Sequence, residues 1–120
     1  VRQEKIIVIA AETLLTEART DPILKRYRAA LDEIYGAQIE RVVLFGSRAR
    51  GDSRPDSDYD IAVFLKSLPD RWEVFHRLAK LQFAFIDETS TVFDTKPFAA
   101  EAYIERTPLM HDIRKDGLDL

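Results

Sequence analysis

Apolar residues recur at helical spacing at both ends of the chain and gather into short blocks in the middle. Between Gln3 and Ala18 the positions Ile7, Ala11, Leu14 and Ala18 fall on one face of an amphipathic helix. Thr20, Asp21 and Pro22 restart the chain, with Pro22 suited to a helix's first turn. Leu24, Tyr27, Leu31 and Ile34 then continue a helical stripe until Gly36 ends it. From Arg41 to Phe45 the run Val42-Val43-Leu44-Phe45 is β-rich and stops at Gly46, which predicts a short buried strand. Residues 46–57 are rich in Gly, Ser, Arg and Asp and read as a loop with room for one helical turn. Asp58 to Leu65 predicts a second strand. Asp70 can cap a helix carrying Val74, Leu78, Leu81 and Phe85 on one side. Thr91 to Lys96 predicts a third strand closed by Pro97, followed by two short helices, the second entered at Thr107-Pro108 and ended by Gly117.

This order of elements predicts an α/β (α+β) domain, a small mixed sheet flanked by helices. At 120 residues the chain suits a single domain spanning 1–120, without repeats or a linker. Hydrophobic residues make up 46% and charged residues 32%, so a packed core rather than a disordered chain is expected. No cysteine is present, which excludes disulfides, thiolate nucleophiles and sulfur-ligated zinc. The net charge of −3 supplies no basic footprint, so direct nucleic-acid binding is not expected. The longest apolar run, Ile6 to Ala11, is far short of the roughly 20 residues a membrane span needs. No secretion signal opens the chain, and a cytoplasmic protein is expected. It begins on Val1, as a trimmed N-terminus would.

The chemistry concentrates in Leu44-Phe45-Gly46-Ser47-Arg48-Ala49-Arg50-Gly51 and Ser57-Asp58-Tyr59-Asp60-Ile61. Gly46 permits close backbone approach to a ligand, and N–H groups at such a turn suit phosphate oxygens. Ser47 adds a hydroxyl, while Arg48, Arg50 and Arg54 bring positive charge into an acidic chain. Alone, such a turn reads more simply as a solvated loop with surface arginines. Asp58 and Asp60 alternate on a strand, which puts both carboxylates on one face roughly 6.6 Å apart at about 3.3 Å per residue. Two ionised carboxylates at that spacing invite a cation, and hard oxygen donors without His or Cys favour magnesium. Tyr59, Ile61 and Val63 then point into the core.

Two rival motifs fail on inspection. Gly46 and Gly51 have P-loop spacing, but Asp52 stands where that loop needs Lys. Asp56, Asp58 and Asp60 imitate the start of a calcium loop, yet Ile61 replaces its glycine and Ser67 its terminal glutamate. His76 and His111 have no sequence neighbours suggesting catalysis. Trp72, Phe83, Phe85, Phe93 and Phe98 are most simply core aromatics.

Gly46-Ser47, ten residues, then Asp58-x-Asp60 resembles the signature of the DNA polymerase β-like nucleotidyltransferase superfamily. The surrounding Gly-Ser-Arg-Ala-Arg-Gly and Ser-Asp-Tyr-Asp-Ile resemble its minimal branch, the MNT antitoxins paired with HEPN toxins. The resemblance implies a nucleotidyltransferase fold. It also implies that Gly46 and Ser47 cradle a triphosphate, with Arg48 and Arg50 as further nucleotide contacts. Asp58 and Asp60 would hold two magnesium ions with a third carboxylate from a later strand, for which Asp94 is the candidate. An aspartate inside an apolar strand is costly unless paired or metal-bound, which favours the same choice. The implied activity is transfer of a nucleotidyl group, from ATP, onto a hydroxyl. The implied acceptor is a tyrosine of a HEPN toxin. With the arginines of residues 48–54 turned to the nucleotide, the C-terminal helices around Leu109 and Ile113 are left as the candidate docking face. A small-molecule transferase of the aminoglycoside type and a non-catalytic toxin-binding module are the alternatives.

Overall fold

The computed structural model describes residues 2–68 and 70–120, with side chains from residue 10 onward. Helix α1 (Arg2–Thr20) leads into α2 (Pro22–Tyr35), and Asp21 caps α2 by accepting the Ile23 N–H at 2.9 Å. Gly36 ends α2 at φ +51°, a conformation that glycine adopts freely. Leu24, Tyr27 and Leu31 are buried, as the stripe predicts. Of the α1 positions, Ala18 is buried and Ala11 is exposed, while the Ile7 side chain lies outside the described residues.

Strand β1 (Ile39–Phe45) runs antiparallel to β2 (Tyr59–Leu65), and β3 (Phe93–Ala99) lies parallel to β2. The crossover between the parallel strands is helix α4 (Arg71–Thr89), capped by Asp70. Helix α5 (Pro108–Asp116) is followed by a two-residue strand, β4 (Leu118–Asp119), which pairs with β1. The sheet order is β3-β2-β1-β4, a mixed four-stranded sheet. Strand β3 continues through Pro97 to Ala99 instead of closing there, because an edge strand can carry a residue without an N–H. Two residues are too short to leave a periodicity, so β4 was invisible to pattern analysis.

Alternation splits the sheet's residues between two cores. On one face Val42, Leu44, Ile61, Val63 and Phe93 pack under α1, α2 and α4. On the other, Val43, Ala62 and Phe64 meet Met110 and Ile113 of α5. Ile113 is therefore spent on the core and cannot belong to a docking face, although Leu109 is exposed. Two of the expected core aromatics are not in the core. Trp72 is 79% and Phe83 71% exposed, on the side of α4 turned from the sheet. Among the described residues, no helix is long and apolar enough to cross a membrane.

Candidate active site

At the end of β1 the backbone turns on Gly46, with φ +74° and ψ −157°, and a single helical turn, α3 (Ser47–Arg50), begins at once. The Gly46 carbonyl accepts from the Ala49 and Arg50 N–H groups, both at 3.1 Å, and Gly51 closes the turn at φ +82°. A helix start leaves its first N–H groups without internal acceptors, here those of Ser47 and Arg48. Gly46 is also required for a second reason. A Cβ there would collide with the carboxylate of Asp60, so the turn and that carboxylate are in van der Waals contact.

Asp60 is the second residue of β2, paired with Phe45 on one side and Asp94 on the other. Parallel neighbours lie about 4.8 Å apart, so the two aspartates project side by side. Their neighbours Tyr59 and Phe93 point the other way and stack at 4.9 Å. Tyr27 stacks on Phe93 at 3.8 Å and meets the Thr95 hydroxyl at 2.5 Å, which anchors the opening of β3 from beneath. Burial raises the Tyr27 hydroxyl to about 12, so it stays protonated there. Asp58 falls one residue ahead of β2 and is exposed, rather than lying on the strand.

Partial burial pushes the Asp60 carboxyl above its ordinary range, and the negative charges of Asp94 and Asp58 push it the same way. Lys96 and Arg50 oppose them. Lys96 donates to Asp94 Oδ2 at 2.9 Å, and the Asp94 side chain is about half exposed. The burial cost expected for Asp94 is thus not paid, because that end of the sheet's second face is uncovered. Among the described residues, no three acidic or imidazole side chains close into a ready ligand set. What is present is a pair, Asp60 and Asp94, with Asp58 acting on it through charge. An all-oxygen donor set whose central member is pushed up by burial and then by like charges suits a hard divalent cation such as magnesium.

The arginines divide. Arg48 donates from Nε to the Ser57 carbonyl at 2.9 Å and from Nη2 to the Pro55 carbonyl at 3.1 Å, and its plane lies 4.0 Å over the Tyr59 ring. It staples the loop between α3 and β2. Arg50 pairs with Asp52 at 3.2 Å on the surface and is close enough to Asp60 to favour its ionised form. Lys96, Tyr27 and Thr95 were not foreseen as parts of this region. The spacing of Lys96 two residues after Asp94, on a strand, was the available signal for the first.

The family pattern "Polymerase beta, Nucleotidyltransferase" matches residues 30–116, from within α2 through α5. The chain belongs to the polymerase β-like nucleotidyltransferase family. A Methanocaldococcus jannaschii protein, MJ0141, provisionally named a protein adenylyltransferase, is 38% identical over 47 residues, 39% of this chain. That match spans about half the relative's own length, 48%. Two solved structures share the nucleotidyltransferase fold. A toxin–antitoxin crystallised with AMP-PNP superposes with a TM-score of 0.56 at 19% identity, over 78% of this chain and 69% of its own. A point variant of the MntA–HpeT toxin–antitoxin superposes at 0.55 with 20% identity, over 80% and 70%. At such identities the likeness is one of fold.

Proposed function

We propose that this nucleotidyltransferase domain transfers AMP from ATP onto a hydroxyl of a partner protein, a tyrosine of a HEPN-family toxin, and so acts as a cytoplasmic antitoxin. The contact between Gly46 and the Asp60 carboxylate carries the reading, because it joins a phosphate-binding type of turn to an acidic pair. In this scheme the N–H groups of Ser47 and Arg48, the Ser47 hydroxyl and the Arg50 guanidinium receive the triphosphate. Arg48 has only Nη1 left for that purpose and otherwise holds the loop. Asp58, Asp60 and Asp94 would hold two magnesium ions, which supply charge neutralisation at the α-phosphate and the leaving pyrophosphate.

Asp94 would take the acceptor's proton at Oδ1, the oxygen that Lys96 does not occupy. The acceptor oxygen bonds to the α-phosphorus, the bond to the bridging oxygen of the β-phosphate breaks, and pyrophosphate leaves. Asp58 and Asp94 are exposed, so the acceptor can be a residue on another protein's surface. The names of the M. jannaschii relative and of the toxin–antitoxin structures support the same reading.

The test is incubation with magnesium, each of the four triphosphates and a HEPN-family protein encoded beside this chain, read by intact mass. One or more AMP groups on a tyrosine of that protein support the proposal. Transfer to an aminoglycoside supplied in a parallel incubation, with that protein left unmodified, would replace it with the small-molecule reading. A tight complex without transfer would leave a binding module.

A further inference from the structure

The hydroxyl of Tyr59 reaches from the candidate site to the junction of α1 and α2. Tyr59 stands between Asp58 and Asp60 and turns its ring into the first core. Its hydroxyl donates to Asp21 Oδ2 at 2.9 Å. The other oxygen of that carboxylate, Oδ1, accepts the Ile23 N–H and caps α2. One half-buried side chain therefore holds a helix with one oxygen and β2 with the other. Burial, and after it the bond to Asp21, raise the Tyr59 hydroxyl to about 12, so it remains a donor throughout the neutral range.

Arg48 continues the line. Its guanidinium lies 4.0 Å over the Tyr59 ring while donating to the Ser57 and Pro55 carbonyls, so the ring is the floor on which that staple rests. Arg48 is also the second residue of α3, the turn assigned to the triphosphate. The far end of that turn, Gly51, meets Leu14 of α1. Between that contact and β2 a cavity of about 230 Å³ opens, with Glu17, Asp21, Arg48, Ser53 and Tyr59 among its lining. On that side the polar chain, rather than close packing, sets where the turn sits. We propose that Asp21 is a positioning residue for the nucleotide turn, acting through Tyr59 and Arg48 on the loop that joins α3 to Asp58. Tyr59 points away from the face that bears Asp60 and Asp94, so Asp21 reaches the reacting atoms only through the turn. Asp21 lies ahead of residues 30–116, so this hold comes from a part of the chain outside the family pattern. The proposal rests on the assignment of the Ser47 turn to the triphosphate.

Two variants cut the link from opposite ends. Asp21→Ser keeps a hydroxyl to cap α2 but removes the oxygen that Tyr59 reaches. Tyr59→Phe keeps the stacked ring and loses its hydroxyl. Each should retain wild-type circular dichroism and bind ATP with magnesium roughly 3–30-fold more weakly in titration calorimetry, the span of coupling inside one network. Combining them should add little to either loss, because both remove the same bond. In nitrogen-edited NMR without ATP, the Arg48 Nε–H, bonded to the Ser57 carbonyl, should exchange with water faster in both variants than in wild type. Loss of a helix cap alone would not move that signal. Unchanged ATP affinity in the variants, beside a wild-type chain that binds ATP, would overturn the proposal and leave the transfer reading standing. Losses that add in the double variant would do the same. A wild-type chain that binds no ATP would overturn the transfer reading instead. Unchanged Arg48 exchange would then overturn the positioning role as well, and faster exchange would support it.

Discussion

Asp60 and Asp94 are register partners on adjacent parallel strands, and Lys96 donates to Asp94 at 2.9 Å. The pair is held from opposite directions. The Tyr59–Phe93 stack fixes the strands beneath it, and Gly46 brings the end of β1 against Asp60. Neither aspartate can move far without disturbing the turn or the core. A site organised in this way has its charges placed before any ligand arrives, which is what electrostatic stabilisation of a transferring phosphoryl group requires.

Replacing Asp60 with Asn should abolish transfer, by roughly 100-fold or more, the scale of losing a group that stabilises charge at a reacting centre. It should also raise the unfolding midpoint at neutral pH. The Asp60 carboxyl is raised by burial and then by Asp94, so the folded state holds its proton more tightly than the unfolded one. That contribution is present below the ordinary value of 3.8 and is lost as pH rises through the folded one. The advantage of Asp60→Asn should therefore be largest at neutral pH and shrink as pH falls toward 3.8. Thermal unfolding of both proteins across that range checks it.

Lys96→Met should push the Asp60 carboxyl higher still, because Lys96 is the leading charge opposing the rise. Carbon-detected NMR titration of the metal-free protein reads this directly. An Asp60 midpoint unchanged by the substitution would remove Lys96 from the site.

Ser47→Ala should weaken triphosphate binding by about 1–3 kcal/mol, the range for a lost charge-assisted hydrogen bond. Gly46→Ala should damage both binding and fold, since its Cβ meets Asp60 and its φ of +74° disfavours a side chain. Titration calorimetry and unfolding midpoints separate the two effects. Normal affinity in both variants would exclude the turn from nucleotide binding.

Tyr27→Phe should cost about 1–2 kcal/mol by leaving the buried Thr95 hydroxyl without its partner. With the Tyr27 hydroxyl raised from 10.0 to about 12, the folded state favours the protonated form. Its contribution to stability should be flat through neutral pH and decline above 10.0. Chemical unfolding of wild type and variant across that range reads the effect.

The element order was legible because each helix stripe and each β-rich run had a physical stop. Gly36 and Gly46 take positive φ, while Asp21, Asp70 and Thr107 accept backbone N–H groups as caps. That Asp94 stands beside Asp60 was implied by the family resemblance and not by local spacing, because the register of β3 on β2 depends on a crossover helix. The roles of the aromatics were misread for a related reason. Trp72 and Phe83 have the composition of core residues, but α4 has only one side to give to the sheet. Asp94 looked buried because its neighbours in sequence are apolar. Its side chain is open because, among the described residues, nothing covers that end of the edge strand.

The most direct measurement follows the phosphorus atoms of ATP. With magnesium and the HEPN-family partner, label at the α-phosphate should become covalently attached to a partner tyrosine, while label at the γ-phosphate should leave as pyrophosphate. The Asp60→Asn protein should leave both labels in ATP. Retention of the γ label on the partner, or labelling undiminished by Asp60→Asn, would contradict nucleotidyl transfer at the Gly46–Asp60–Asp94 site.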